Sequence, residues 1–184
     1  MNQTERELMI KIKQGNTEAF TMLFNIEYPE IYRFVYRLSG KNHSLTEDIV
    51  QNVFVKFWIN RQKYDQNTPV KWLFMTIARG LWIDNLRLTK AMIHSTDKLQ
   101  NKSSGLDLKS PLTNLEYNEL KIKLEESITG LETPLREVLI LSRFHNLRYK
   151  EIADILGISV KTVEARMSNA LSIIDDKLKP LMEI

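Results

Sequence analysis

The chain has no cysteine, 6 glycines, 5 prolines and 3 histidines among 184 residues. Without cysteine there is no disulfide framework, no cysteine-ligated zinc and no thiol nucleophile, which fits a reducing compartment and an expected cytoplasmic location. No apolar run approaches the roughly 18 residues of a membrane span. The polar opening MNQTEREL lacks the apolar core of a secretory signal, so membrane insertion is not expected. His43, His94 and His145 are too scattered for shared metal ligation, and neither a phosphate-cradling glycine loop nor a nucleophile motif is present. An enzyme is therefore disfavoured, and no metal or cofactor is expected. Strand-like alternation is missing as well. With few glycines and prolines and long stretches of 3.6-residue periodicity, the expected class is all-α, divided into two small helical domains.

What is present is clearest from Tyr149 to Asn169, YKEIADILGISVKTVEARMSN. Ile152, Ile155 and Leu156 fall at helical spacing, and Ala153 is small where a second helix must cross closely. Gly157 allows the left-handed backbone that ends one helix and turns the chain. Ser159 is placed to cap the next helix, whose inward stripe is expected to be Val163, Met167, Ala170, Leu171 and Ile174. The opposite face carries Lys161, Thr162, Ala165, Arg166 and Asn169. These side chains suit a major groove, where arginine can grip guanine and asparagine adenine. The spacing predicts a DNA-binding helix-turn-helix; the competing account is a solvated helical hairpin.

Upstream, residues 4 to 14 read as a short amphipathic helix stopped near Gly15, with Asn16 or Thr17 capping the next. That second helix carries Phe20, Leu23 and Phe24, is expected to break briefly at Pro29, and continues through Ile31, Phe34, Val35 and Leu38 to Ser39-Gly40. Ser44-Leu45-Thr46-Glu47 has the S-x-x-E pattern of a capping box. It precedes a helix with Ile49 or Val50, Val53, Phe54 and Phe57 inward and Glu47, Asp48, Gln51 and Asn52 outward. Residues 60 to 69, NRQKYDQNTP, read as a loop. The following helix, VKWLFMTIARGLWIDNLRLTKA, packs Trp72, Phe74 and Trp82 and places Arg79, Arg87 and Lys90 on one face. A basic face beside aromatics is how proteins hold a single strand; core tryptophans with solvated charges would look the same. Periodicity fades from about Ile93 to Thr113, around Ser103-Ser104-Gly105 and Ser110-Pro111, which reads as a flexible linker. Helicity resumes at Leu115, with Glu116, Glu119, Glu125 and Glu126 as a solvated face, and breaks at Thr129-Gly130. Thr133-Pro134 then looks like an N-cap followed by proline at the first helical position.

Charge sharpens the picture. Residues 1 to 90 carry 13 Lys+Arg against 9 Asp+Glu, whereas residues 114 to 184 carry 10 against 12. The half with the helix-turn-helix is slightly acidic, so its own DNA affinity should be poor, because phosphate neutralisation supplies most non-specific binding. Either the cluster of Arg143, Arg148, Lys150, Lys161 and Arg166 suffices, or another molecule brings the chain to DNA; the second is favoured.

Taken together, TEDIVQNVFVKFW, WLFMTIARGLWIDNLR and YKEIADILGISVKTVEARM, in this order and spacing, resemble the small two-domain sigma factors of bacterial RNA polymerase, the extracytoplasmic-function (group IV) class of the sigma-70 family. The resemblance implies region 2 over 1–90, a linker over 91–113 and region 4 over 114–184. It implies a specificity subunit that binds core polymerase, melts the minus-ten element and reads the minus-thirty-five element. By resemblance, Asp48, Gln51 and Asn52, with Phe54 and Trp58 behind them and Lys56 nearby, face the coiled coil of the largest polymerase subunit, and the polymerase flap is a further contact. In region 2, a flipped base of the non-template strand would be captured at the loop from Arg61 to Pro69, where Tyr64, Asp65, Gln66 and Asn67 all qualify. Tyr64, Asn67, Lys71, Trp72, Arg79 and Arg87 are the implied minus-ten contacts. Arg148, Ser159, Lys161, Thr162, Ala165, Arg166 and Asn169 are the implied minus-thirty-five contacts. An anti-sigma factor, often membrane-bound in the family, is the implied regulator.

Several positions depart from the family pattern. Asn52 replaces an acidic residue, Gly80 an asparagine, Arg148 a capping serine or threonine, and Asn169 an arginine, while Glu164 adds a negative charge beside the groove. The alternative from another class is an autonomous helix-turn-helix regulator whose N-terminal half binds a ligand or dimerises; the TEDIVQNVFVKFW helix discriminates the two.

Overall fold

The computed structural model describes residues 3–95 and 115–182, and helices account for most of them. They are α1 (Gln3–Lys13), α2 (Thr17–Leu38), α3 (His43–Asn60), a 3₁₀ turn (Arg61–Lys63), α4 (Val70–Ser95), α5 (Leu115–Thr129), α6 (Thr133–Arg143), α7 (Tyr149–Leu156) and α8 (Val160–Met182). Among the described residues there is no strand, and no helix is long and apolar enough to cross a membrane. The chain divides into two compact units, α1–α4 and α5–α8. Helix α4 runs through Ser95, so residues 91–95 of the expected linker are helical: Lys90-Ala91-Met92 are good helix formers and nothing there breaks the turn. The remainder of that linker, 96–113, lies outside the described residues.

In the first unit α2, α3 and α4 each turn an aromatic stripe inward. Phe54 lies 4.5 Å from Phe24 and 4.9 Å from Phe74, and Phe57 lies 4.7 Å from Phe74, ring centre to ring centre. Around them Ile31, Phe34, Val35, Leu38, Val50 and Val53 are fully buried. Both Ile49 and Val50 point inward, at 5% and 0% exposure. Each such side chain contributes about 1.5–3 kcal/mol through burial. Asn16 caps α2 by accepting from the Ala19 amide at 2.7 Å.

Three terminal signals resolve differently from the sequence reading. Helix α2 is continuous through Pro29, which is exposed, so the carbonyl its ring displaces can be hydrated. Asn42, not Ser44, caps α3: its Oδ1 accepts from the Leu45 amide at 3.0 Å, which puts Ser44 inside the first turn. Thr46, expected in a capping box, is buried and bonds the Asn42 carbonyl at 2.6 Å and Ser39 Oγ at 3.0 Å. Glu132 occupies the cap position of α6, Thr133 is its first residue, and the amides of Leu135 and Arg136 both reach the Glu132 carbonyl at 3.0 Å.

The second unit buries Val138, Ile140 and Leu141 of α6, Ile152 of α7 and Val163 of α8 completely, and adds buried polar groups at the end of α5. Arg136 of α6 is 9% exposed, and its Nη1 donates to the Thr129 carbonyl at 2.8 Å, where the C-terminus of α5 accumulates negative partial charge. A Cβ on Gly130 would stand 3.2 Å from Lys177 Nζ, so a second cation, from α8, sits at the same helix end. Helix α7 buries Ile152, Ala153, Ile155 and Leu156 and stops at Gly157, φ +65° and ψ +39°. The Ile158 amide closes that turn on the Ala153 carbonyl at 3.1 Å. Along α8, Val163, Met167, Ala170 and Ile174 are buried, but Leu171 is 40% exposed. Spacings of four, three and four already complete the inward stripe, and Leu171 falls on its flank.

Two glycines make opposite predictions. A Cβ on Gly80 meets nothing within 4 Å in mid-α4, so Gly80→Ala should stabilise by about 0.5–1 kcal/mol. Gly157→Ala should destabilise by about 1–2 kcal/mol through its left-handed backbone. Denaturant melts of the two variants check both signs.

Glu27 supplies a third test. It is 5% exposed on α2, and burial, reinforced by Glu5, raises its pKa from 4.5 to about 7 against the opposing pull of Lys71. The folded chain therefore binds more protons than the unfolded one from about pH 4.5 to 7. Its stability falls as pH rises through that window and levels off above it. Glu27→Gln should be more stable than the parent at pH 8, by up to about 3 kcal/mol, and the gap should close towards pH 5 in thermal melts.

Candidate nucleic-acid and partner interfaces

Helix α3 presents an outward stripe because its aromatics all turn inward. Asp48, Gln51 and Asn52 are exposed on it, and Asn52 Nδ2 donates to the Asp48 carbonyl at 2.8 Å. Phe54 does not reach this surface: at 3% exposure it supports the stripe from behind, because the α2 and α4 rings enclose it. Trp58 is half-buried, 5.0 Å from Phe20, with the Arg61 guanidinium 4.4 Å above its ring and Arg61 Nη1 on its carbonyl at 2.8 Å. The sequence reading missed Val55 and Ile59. They extend the stripe at i+7 and i+11 from Asp48 and are 54% and 68% exposed. In the run Val53-Phe54-Val55-Lys56-Phe57-Trp58-Ile59 apolar residues occur on every side, so periodicity alone could not assign them outward.

The loop after α3 is pinned at both ends. Tyr64 stacks on Phe57, 5.6 Å between centres and 5° between planes, and burial raises its hydroxyl pKa. Asp65 Oδ1 accepts from both the backbone amide and Nδ2 of Asn67, each at 3.0 Å, and the Thr68 amide closes the turn on the Asp65 carbonyl at 3.1 Å. Of the four loop candidates Asp65 is thus the scaffold, Tyr64 is turned against the core, Gln66 is half-buried, and Asn67 stands outside.

On α4 the outer face carries Trp72, Thr76, Arg79, Ile83, Arg87 and Lys90, spaced by four, three, four, four and three. Phe74, Met75, Ala78 and Trp82 are buried on the opposite side. Trp72, Arg79 and Arg87 are therefore brought together, with Arg87 Nη1 lightly held by Asp84 at 3.3 Å. Lys71 is not on that line. It lies on the flank, with Nζ 3.3 Å from Glu30 Oε2 of α2.

In the second unit Lys161, Ala165 and Asn169 are exposed along one face of α8, opposite its buried stripe. Arg166 is half-buried on the flank of that face. Ser159 and Thr162 are committed to structure. Ser159 Oγ accepts from the Thr162 amide at 3.0 Å and bonds its hydroxyl at 2.8 Å, forming the cap of α8. Arg148 caps α7 without a side-chain acceptor; its amide donates to Glu151 Oε2 at 2.7 Å, and the residue is exposed at the start of α7. Among the described residues, no group of His, Asp and Glu side chains could hold a metal ion.

Comparison with known proteins places family models on both units. Residues 23–91 match Sigma-70 region 2, and residues 121–174 match Sigma-70, region 4. The chain is 30% identical to the ECF RNA polymerase sigma factor SigM of Bacillus subtilis, over 89% of this chain and 93% of that one. It is 29% identical to SigW of the same organism, over 95% of this chain and 100% of the other. Among solved structures, CnrH in complex with the cytosolic domain of CnrY superposes with a TM-score of 0.69 at 22% identity, covering 97% of this chain and 99% of that one. RpoE of Bartonella quintana, in complex with the anti-sigma factor NepR, gives 0.73 at 22% identity, over 87% and 96%.

Proposed function

The chain belongs to the extracytoplasmic-function sigma factors of the sigma-70 family, RNA polymerase subunits that direct promoter-specific initiation, and we propose that its two units divide that task between three outward faces. The observation that carries this reading is the order of the matches: region 2 on the unit with the α3 and α4 faces, region 4 on the unit with the helix-turn-helix.

The α3 stripe of Asp48, Gln51 and Asn52, extended by Val55 and Ile59, is the surface for the coiled coil of the largest polymerase subunit. Its polar start and apolar end suit a helical partner, with Phe54 and Trp58 holding it flat. The 64–69 loop and the α4 face take the minus-ten element. Asn67 is the loop side chain best placed to meet an extruded base, while Trp72 offers a stacking plane and Arg79 and Arg87 offer charge to the strand. Helix α8 enters the major groove at the minus-thirty-five element with Lys161, Ala165 and Asn169 towards the bases and Arg166 alongside. Ser159 and Thr162 shape the turn into α8, Arg148 stands at the start of α7, and the N-terminal end of α8 meets phosphate. The weakly acidic second unit does not have to bind DNA alone. Attachment of both units to core polymerase, the second through the flap, makes each contact intramolecular and raises its effective concentration. The role is non-catalytic, since the polymerase performs the chemistry, and it calls for no cofactor. The structural neighbours were solved with a cytosolic domain and with an anti-sigma factor, which supports regulation here by an anti-sigma protein that covers the same faces.

Run-off transcription with purified core polymerase and a library of upstream fragments tests the reading. Added protein should produce initiation from a defined subset. Asp48→Ala combined with Gln51→Ala should weaken core binding at least about tenfold. No core binding and no new start sites, with tight duplex binding by the protein alone, would instead indicate an autonomous regulator.

The DNA faces are separable in the same assay. Arg166→Ala should cost about 1–3 kcal/mol of discrimination at the upstream element. Trp72→Ala and Arg79→Ala should slow open-complex formation, read by permanganate footprinting, more than initial binding. Unchanged opening would remove α4 from the promoter.

A further inference from the structure

Whereas Arg87 pairs within α4, with Asp84, Lys71 of α4 is paired across to α2. Its ammonium lies 3.3 Å from Glu30 Oε2, with the two side chains 33% and 32% exposed, and Glu30 also binds Arg33. One turn earlier on α2, Glu27 is buried to 5% exposure within the field of Lys71 from α4, Glu5 from α1 and Glu30 from α2 itself. Two carboxylates on consecutive turns of α2 thus flank one lysine where α4 begins, immediately after the 64–69 loop.

We propose that Glu30 and Glu27 are positioning residues which hold Lys71 off promoter phosphate, so that the lysine joins the DNA contacts only when the strand displaces Glu30. This rests on the reading of α4 as the minus-ten face. With both side chains about one-third exposed the ion pair is weak, so a phosphate can replace Glu30 without unfolding anything. Glu27 adds a graded component. Its carboxyl titrates near neutrality, and Lys71 is the neighbour that favours its ionised form. When Lys71 leaves for phosphate that support is lost and Glu27 takes up a proton. DNA engagement is then coupled to proton uptake, and promoter affinity falls as pH rises from 6 to 8. The arrangement reduces contact with DNA that does not occupy the α4 face, since Lys71 is already neutralised there.

The test uses holoenzyme reconstituted with core polymerase and a fluorescent fork-junction fragment of a promoter selected by run-off transcription, titrated across salt and pH. Glu30→Gln should tighten binding about 3- to 5-fold, the factor equivalent to an exposed ion pair, and should give no gain in a Lys71→Gln background. Lys71→Gln alone should lower the slope of log affinity on log salt by about 1. Glu27→Gln should flatten the pH dependence between 6 and 8. If Lys71→Gln weakens binding but Glu30→Gln leaves it unchanged, or tightens it equally without Lys71, the positioning role is overturned and the α4 face stands. If Lys71→Gln, Trp72→Ala and Arg79→Ala are all without effect, the minus-ten reading and this proposal fall together.

Discussion

The first unit depends on the packing of Phe54. Its ring is met by Phe24 and Tyr28 from α2 and by Phe74 from α4, at centre distances of 4.5, 6.3 and 4.9 Å. One side chain therefore sets the spacing of three long helices. Because α3 spends Val50, Val53, Phe54 and Phe57 on that junction, the remaining side of the helix has no intramolecular partner and must face outward. The outward stripe of α3, which we propose meets the polymerase, is thus the complement of the core, and α4 is built the same way, its Trp72–Lys90 stripe lying opposite Phe74, Ala78 and Trp82. Small domains bury a limited fraction of their surface; here that limit leaves outward faces on α3 and α4.

The second unit reaches a similar result by polar means. Arg136 of α6 and Lys177 of α8 converge on the C-terminal end of α5. Burial lowers the pKa of the Arg136 guanidinium, yet nothing near physiological pH removes its charge; Nη1 meets the Thr129 carbonyl, while the buried Nε has no hydrogen-bond partner. Within that frame α7 is only one short helix, held by four buried side chains and released by the left-handed backbone at Gly157. The turn aims α8. The short side chains of Ser159 and Thr162 close the cap of its first turn, while the longer Lys161 and Arg166 stand beside it.

A division of labour follows from the charges. Cations gather on α4 and at the helix-turn-helix, but acidic residues dilute them throughout the second unit and, at Glu27 and Glu30, neutralise one in the first. This charge distribution supports the proposal that neither unit grips DNA strongly by itself and that attachment to core polymerase makes their contacts act together. A subunit built this way engages promoters as part of the enzyme, which is what specificity in initiation requires.

Much of this was legible in residue order alone. The helical periods, the left-handed turn at Gly157 and the order of the three motifs follow from local spacing, because backbone preference and amphipathic period act over a few residues. They were sufficient for the all-α class and for the family. Tertiary structure decided the matters that depend on neighbours distant in sequence. Asn42 displaced Ser44 as the cap of α3 because Thr46 turned inward to Ser39; Leu171 lost its place in the core because the stripe on α8 was already filled. Val55 and Ile59 proved to be surface because the opposite side of α3 was taken by rings from α2 and α4. Lys71, drawn in sequence as one cation among several, became the partner of Glu30 because α2 and α4 pack side by side. Sequence by itself determined the helical class, most helix positions and the family, though not the continuity of α2 through Pro29 or the extension of α4 to Ser95. Which side of each helix remains free was decided only by packing, since exposure is set by the residues across an interface and not by those along the chain.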